Sequence, residues 1–237
     1  MVVMVASPQD SAAARRLTPP PPRVAAADWW RRLYQVNTQP MTMIDESWWA
    51  GLPAPLKTRF IERPRGRRLM SQRLLKCQAG LGDPCWNFDL PLRRLLLLPP
   101  QVFQDLLRWA GAAAQAERLR ALVQRQERNL WIAALGSDTF ECVVRLAPLR
   151  LGSHLTRLER VLTLPDDPLE RTVRLGVACL GEAWVDDPVL APRARWYCPR
   201  HWAPWFGQPC LFPAPEALSL SRKLLSESHP LWLPWLE

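Results

Sequence analysis

Residues 100–111 read Pro100-Gln-Val-Phe-Gln-Asp-Leu-Leu-Arg-Trp-Ala-Gly111. Val102, Phe103, Leu106, Leu107 and Ala110 recur at steps of three and four, the period of one helix face, behind a Pro99-Pro100 start signal. The pattern continues from Gln115 to Leu135 through Leu119, Leu122, Val123, Leu130 and Trp131, and Gly136 is placed as the residue past that helix end. Ser137-Asp138 is read as the cap of a further helix with Phe140, Val143, Val144 and Ala147 on one face, stopped by Pro148.

Downstream, Asp166-Asp167-Pro168-Leu169-Glu170 has the spacing of a capping box. Asp167 takes N-cap, Pro168 N1 and Glu170 N3, above a stripe of Leu169, Val173, Gly176, Val177, Leu180 and Trp184. Asp186-Asp187-Pro188 reads as the turn that closes it. Alternating patterns are few, and Val161-Leu-Thr-Leu164 is the best of them. The expected fold is all-α, a single irregular helical domain over 28–237 with its core at about 90–190. Upstream, Trp29, Trp30, Leu33 and Tyr34 predict a short amphipathic helix with Asp28 as N-cap. Residues 1–27, with Pro19-Pro-Pro-Pro22, are expected to be a disordered leader, and the Trp- and Pro-rich stretch 196–237 to pack irregularly over the helices. Twenty-five prolines argue against long uninterrupted helices.

The chain has 237 residues, 48% hydrophobic and 22% charged, which excludes a wholly disordered protein. Its net charge of +9 is concentrated. Lys57, Arg59, Arg63, Arg65, Arg67, Arg68, Arg73 and Lys76 face a single acid, Glu62, so twenty residues hold +7 and the other 217 only +2. Pro64 and Gly66 interrupt this segment, and 57–76 is read as a basic loop. No window approaches the ~18 apolar residues that span a bilayer, and the apolar start Met1-Val-Val-Met-Val-Ala6 is too short for a signal core. The chain is therefore expected to be cytoplasmic, with its six cysteines as thiols.

Motifs for nucleotide binding or catalysis are missing: there is no G-x-x-x-x-G-K-[ST], G-x-G-x-x-G, H-E-x-x-H or G-x-S-x-G. Cys198, His201 and Cys210, with His229 later, carry zinc-ligand chemistry, but only three lie close together and the paired spacing of a structural site is missing, so a zinc-dependent enzyme is the weakest reading. His154, alone in the central region, is better read as a surface or capping residue than as a general base. No catalytic, metal or cofactor-binding residue and no small-molecule substrate is assigned. Candidate partner-binding residues are Arg63, Arg65, Arg67 and Arg68 with Trp48 and Trp49. The basic segment fits a solvated loop, a contact for an acidic protein or an anionic membrane surface, and, in last place, nucleic acid, since no helix-turn-helix, finger or RNP pattern accompanies it. Trp109, Trp131 and Trp184 are expected in the core.

The run Leu90-Pro-Leu-Arg-Arg-Leu-Leu-Leu-Leu-Pro-Pro followed by residues 101–111 resembles a segment of the SctK family of type III secretion sorting-platform proteins (YscK, PscK, OrgA, MxiK and the Hrp branch). Ala116-Glu-Arg-Leu-Arg120 with Leu135-Gly-Ser-Asp-Thr-Phe140 resembles its next helices, and Arg174-Leu-Gly-Val-Ala-Cys-Leu-Gly181 its late Gly/Ala-containing helix. The resemblance covers roughly 90–190 and leaves the leader, the basic segment and the tail without counterparts. It implies a non-enzymatic cytoplasmic adaptor of the injectisome, associated with the inner-membrane face of the apparatus. Such an adaptor bridges an SctD-like inner-membrane ring protein to an SctQ-like pod protein, which connects through SctL to the ATPase SctN.

Overall fold

The computed structural model describes residues 17–77, 84–145 and 164–237. Every regular element among them is helical and no strand occurs, so the fold is all-α. The principal α-helices are α1 (Ala26–Thr38), α2 (Ala54–Lys57), α3 (Pro64–Cys77), α4 (Pro100–Ala114), α5 (Ala116–Arg120), α6 (Arg125–Leu135), α7 (Ser137–Arg145), α8 (Pro168–Leu180), α9 (Leu190–Trp196) and α10 (Ala214–Ser228). Short 3-10 turns, the longest at Pro91–Leu97, Arg200–Gly207 and Pro230–Leu236, and one π turn join them, and the three longest each carry proline.

The centre is the pair α4 and α8, the most extensive helix contact among the described residues. Val102, Phe103, Leu106, Leu107 and Ala110 are buried as their spacing predicts, against Val173 and Val177 of α8. Two glycines set the approach: a Cβ on Gly111 would run into the Thr172 carbonyl, and one on Gly176 into the Leu107 carbonyl. The α8 start follows the sequence reading, with Asp167 accepting from the Glu170 N–H at 2.8 Å and Pro168 in the first turn. Gly136 ends α6 at φ +85°, a backbone region that favours glycine, and its carbonyl accepts from the Phe140 N–H at 3.0 Å, so Ser137 and Asp138, expected as the cap, lie inside the first turn of α7.

Several expectations need correction. The core is not confined to 90–190. Trp29, Leu33 and Val36 of α1 and Trp202, Phe206, Leu224, Trp235 and Leu236 of the C-terminal part belong to the same cluster. The C-terminal stretch is not irregular packing but a regular α10 between two 3-10 turns, buried through Ala217, Leu220, Leu224 and Leu225. The leader is ordered over its described part: Thr18 is buried, donates from its hydroxyl to the Trp86 carbonyl at 3.3 Å and accepts from the Phe88 N–H at 2.7 Å. Trp29 closes this knot by donating its indole N–H to the Thr18 carbonyl at 3.0 Å. Helix α1 starts at Ala26, so Asp28 lies inside its first turn and pairs with Arg31 at 3.0 Å instead of capping.

The helix expected over 115–135 is broken between α5 and α6, which leaves Val123 94% and Leu130 61% exposed rather than on an apolar stripe. Asp187 does more than close a turn: its carboxylate accepts from the Val189 and Leu190 N–H groups at the head of α9 and pairs with Arg93 at 3.4 Å. Of the expected core tryptophans, Trp131 and Trp184 are buried and Trp109 is half-buried. Ala147, Pro148, His154 and residues 161–163 of the alternating segment lie outside the described residues.

A cationic helix face as candidate functional site

The basic segment is not a loop. Lys57 ends α2, Thr58–Glu62 forms a single π turn, and residues 64–77 are one α-helix, α3. Pro64 and Gly66, read from sequence as breakers, instead build its start. Proline at N1 loses no hydrogen bond, because the first N–H groups of a helix have no intrahelical partner. Gly66 is buried where a Cβ would lie 2.7 Å from the Phe60 Cα, so glycine lets α3 fold back onto the π turn.

Burial divides α3 into two faces. Gly66, Arg67, Met70, Ser71, Leu74 and Leu75 turn inward, with Ser71 buried and accepting from the Met41 N–H at 3.3 Å. Arg65, Arg68, Leu69, Gln72, Arg73 and Lys76 are exposed, at steps of three and four, and so share the outer face. No acidic residue lies in Pro64–Cys77, and none of its cations forms an ion pair among the described residues. Arg63, at the helix entrance, is exposed too, while Arg67 is half-buried. Three of the four candidate arginines are thus presented to solvent together. Leu69, Arg73 and Lys76 join them, and the run Arg65, Leu69, Arg73, Lys76 at steps of four, four and three is the signal that would have found them.

Trp48 and Trp49 sit on a neighbouring turn, Glu46–Trp49, which is pinned firmly to the core. Asp45 accepts from the Ser47 N–H at 2.9 Å and donates its own N–H to the Trp196 carbonyl at 2.8 Å. The Trp48 indole N–H donates to the Cys198 carbonyl at 2.9 Å, and the Arg200 N–H donates to Ser47 Oγ at 2.8 Å. Trp48 is therefore an anchor within the molecule. Trp49 is different: with Lys57, Ile61 and Glu62 it lines an open groove of about 580 Å³ between this turn and the π turn that leads into α3. The structure brings Trp49 beside the start of the cationic helix and assigns Trp48 to packing.

The cysteine and histidine candidates do not assemble. Cys198 is fully buried, and desolvation pushes its thiol pKa well above the ordinary range. Cys210 lies against Gly181, with its thiol pushed up to about 12 by burial and by the Glu182 carboxylate. His201 is exposed and stands edge-on to Trp202 at 5.7 Å. Such thiols keep their protons at neutral pH and are poor nucleophiles. Among the described residues no three His, Cys, Asp or Glu side chains are placed to hold a metal ion. No described helix is long and apolar enough to cross a membrane. Comparison of the chain with protein-family models, curated proteins and solved structures finds no match.

Proposed function

We propose that this protein is a non-enzymatic adaptor of a bacterial type III secretion sorting platform, linking an SctD-like inner-membrane ring protein to an SctQ-like pod protein by protein-protein binding. The observation that carries the reading is the overlap between resemblance and core. The two longest segments that resemble the SctK family, 90–111 and 174–181, are those that form the Leu-rich 3-10 turn, α4 and the packed half of α8. The outer face of α3, unpaired among the described residues, and the open Trp49 groove add surface for a partner. Deleting the gene in its host tests the proposal: loss of type III secretion, restored by the full chain, is the expected result. Unimpaired secretion overturns it.

A second reading, a nucleic-acid-binding module, draws on the same face, since a regular basic helix is an element that a duplex groove admits. It predicts retention on DNA or RNA at low salt, with an affinity that falls steeply as salt rises. No retention at low salt removes it.

A further inference from the structure

The outer face of α3 has a shape as well as a sign. We propose that it docks on an anionic lipid bilayer, with the helix axis lying parallel to the surface. Arg65, Arg68, Arg73 and Lys76 are spread over twelve residues, about 16 Å from first to last at a rise of 1.5 Å per residue. At 100° per residue these four positions cover an arc of about 140°, wider than a single stripe, and Arg59 and Arg63 are exposed just before the helix. A plane of lipid phosphates meets cations from such a wide arc, because long Arg and Lys side chains bend toward one surface. A single acidic helix would meet only the stripe.

Two further observations point the same way. Leu69 sits among the cations, 49% exposed, which is the arrangement of an interfacial helix that places an apolar side chain between its charged anchors. The remaining 217 residues carry only +2, so the molecule is electrically lopsided and a negative plane orients it with α3 down. One leucine anchors weakly, so binding is electrostatic, reversible and salt-sensitive. Each cation near an anionic leaflet contributes about a fivefold gain in partitioning. The inference rests on the charge distribution and not on the adaptor reading, and the two fail separately.

Sedimentation of the full chain with vesicles tests it, using phosphatidylcholine alone or with about a third phosphatidylglycerol, an anionic surface of the required kind. The expected result is binding to the anionic vesicles only, weakening as salt rises. A variant carrying R65Q, R68Q and R73Q should lose about a hundredfold in partitioning, three fivefold steps. A control with R125Q, R200Q and K223Q, three exposed cations elsewhere, removes the same net charge and should retain most of the binding. All six positions are exposed, so both variants should keep the wild-type circular dichroism. Failure to bind anionic vesicles at low salt, or equal losses in the two variants, overturns the proposal. So does tighter retention on a short DNA duplex or on polyglutamate at equal anion concentration, which would assign the face to that ligand.

Discussion

Gly176 brings α8 into direct contact with the Leu107 carbonyl of α4: a Cβ on Gly176 would lie 2.7 Å from the carbonyl carbon and nearer still to its oxygen. Gly111 makes the reciprocal approach to Thr172. The obstacle in both places is backbone, which cannot rotate aside, so the helix-propensity gain of alanine, about 1 kcal/mol, is outweighed. Gly176→Ala and Gly111→Ala should each cost roughly 2–3 kcal/mol in a denaturant titration. Gly51, which has nothing within 4 Å of an added Cβ, should accept alanine without loss.

The carboxylates of Asp167 and Asp187 are predicted to differ in weight. Asp167→Ala removes one exposed N-cap bond and should cost about 1 kcal/mol, with Asp167→Asn recovering most of it. Asp187→Ala removes two backbone partners and the half-buried Arg93 pair together, and should cost about 2 kcal/mol. Arg93→Ala alone, measured in the same titration, should cost under about 1 kcal/mol.

Burial raises the Cys179 and Cys198 thiols far above their ordinary pKa, with no compensating cation strong enough to reverse it. The native protein therefore holds both protons, whereas the unfolded chain releases them above about pH 8.5. Their contribution is complete below that pH and is lost as pH rises toward the native values, at about 1.4 kcal/mol per pH unit for each thiol. Stability measured from pH 8 to pH 10 should fall accordingly, and Cys179→Ala should flatten the fall. At pH 8, Cys179 and Cys198 of the native protein, followed by peptide mass, should react with a thiolate-selective reagent far more slowly than glutathione, and at full speed once unfolded.

Neutralising the outer face of α3 should leave the fold untouched. Arg65, Arg68 and Arg73 are exposed and pair with no carboxylate among the described residues, and Arg65 and Arg68 are three apart on one helix, so replacing them with Gln relieves repulsion and removes no buried contact. Thermal unfolding of the triple variant should match the wild type or rise slightly. Gly66→Val should do the opposite, because its side chain would strike the Arg59 and Phe60 backbone and lift α3 from its seat. Loss of anionic-vesicle binding by both variants, with stability lost only in Gly66→Val, would show that the face needs its charge as well as its placement.

Local signals were the legible part of the sequence. The Asp167-Pro168-Glu170 start, the Gly136 stop and the α4 stripe depend on residues within one or two turns, and each stands where its spacing puts it. Contacts between distant segments left no such trace. Trp29 packs on Trp235 at 5.8 Å between ring centroids, and Trp48 bonds to Cys198 across 150 residues, so the Trp-rich flanks looked like wrapping when they are core and anchor. Helix α10 was hidden by the prolines and tryptophans around it, although Ala217, Leu220, Leu224 and Leu225 keep helical steps. Pro64 and Gly66 misled because both residues break helices internally, while here one starts a helix and the other admits a neighbouring turn.

The claim that this chain works by bridging two components of a secretion apparatus is tested most directly by co-purification. The tagged full chain should be mixed with the purified cytoplasmic domain of the SctD-like ring protein and with the SctQ-like pod protein. Stable recovery of both, separately and as one ternary complex, is the predicted result. A folded chain with native circular dichroism that captures neither would contradict the account.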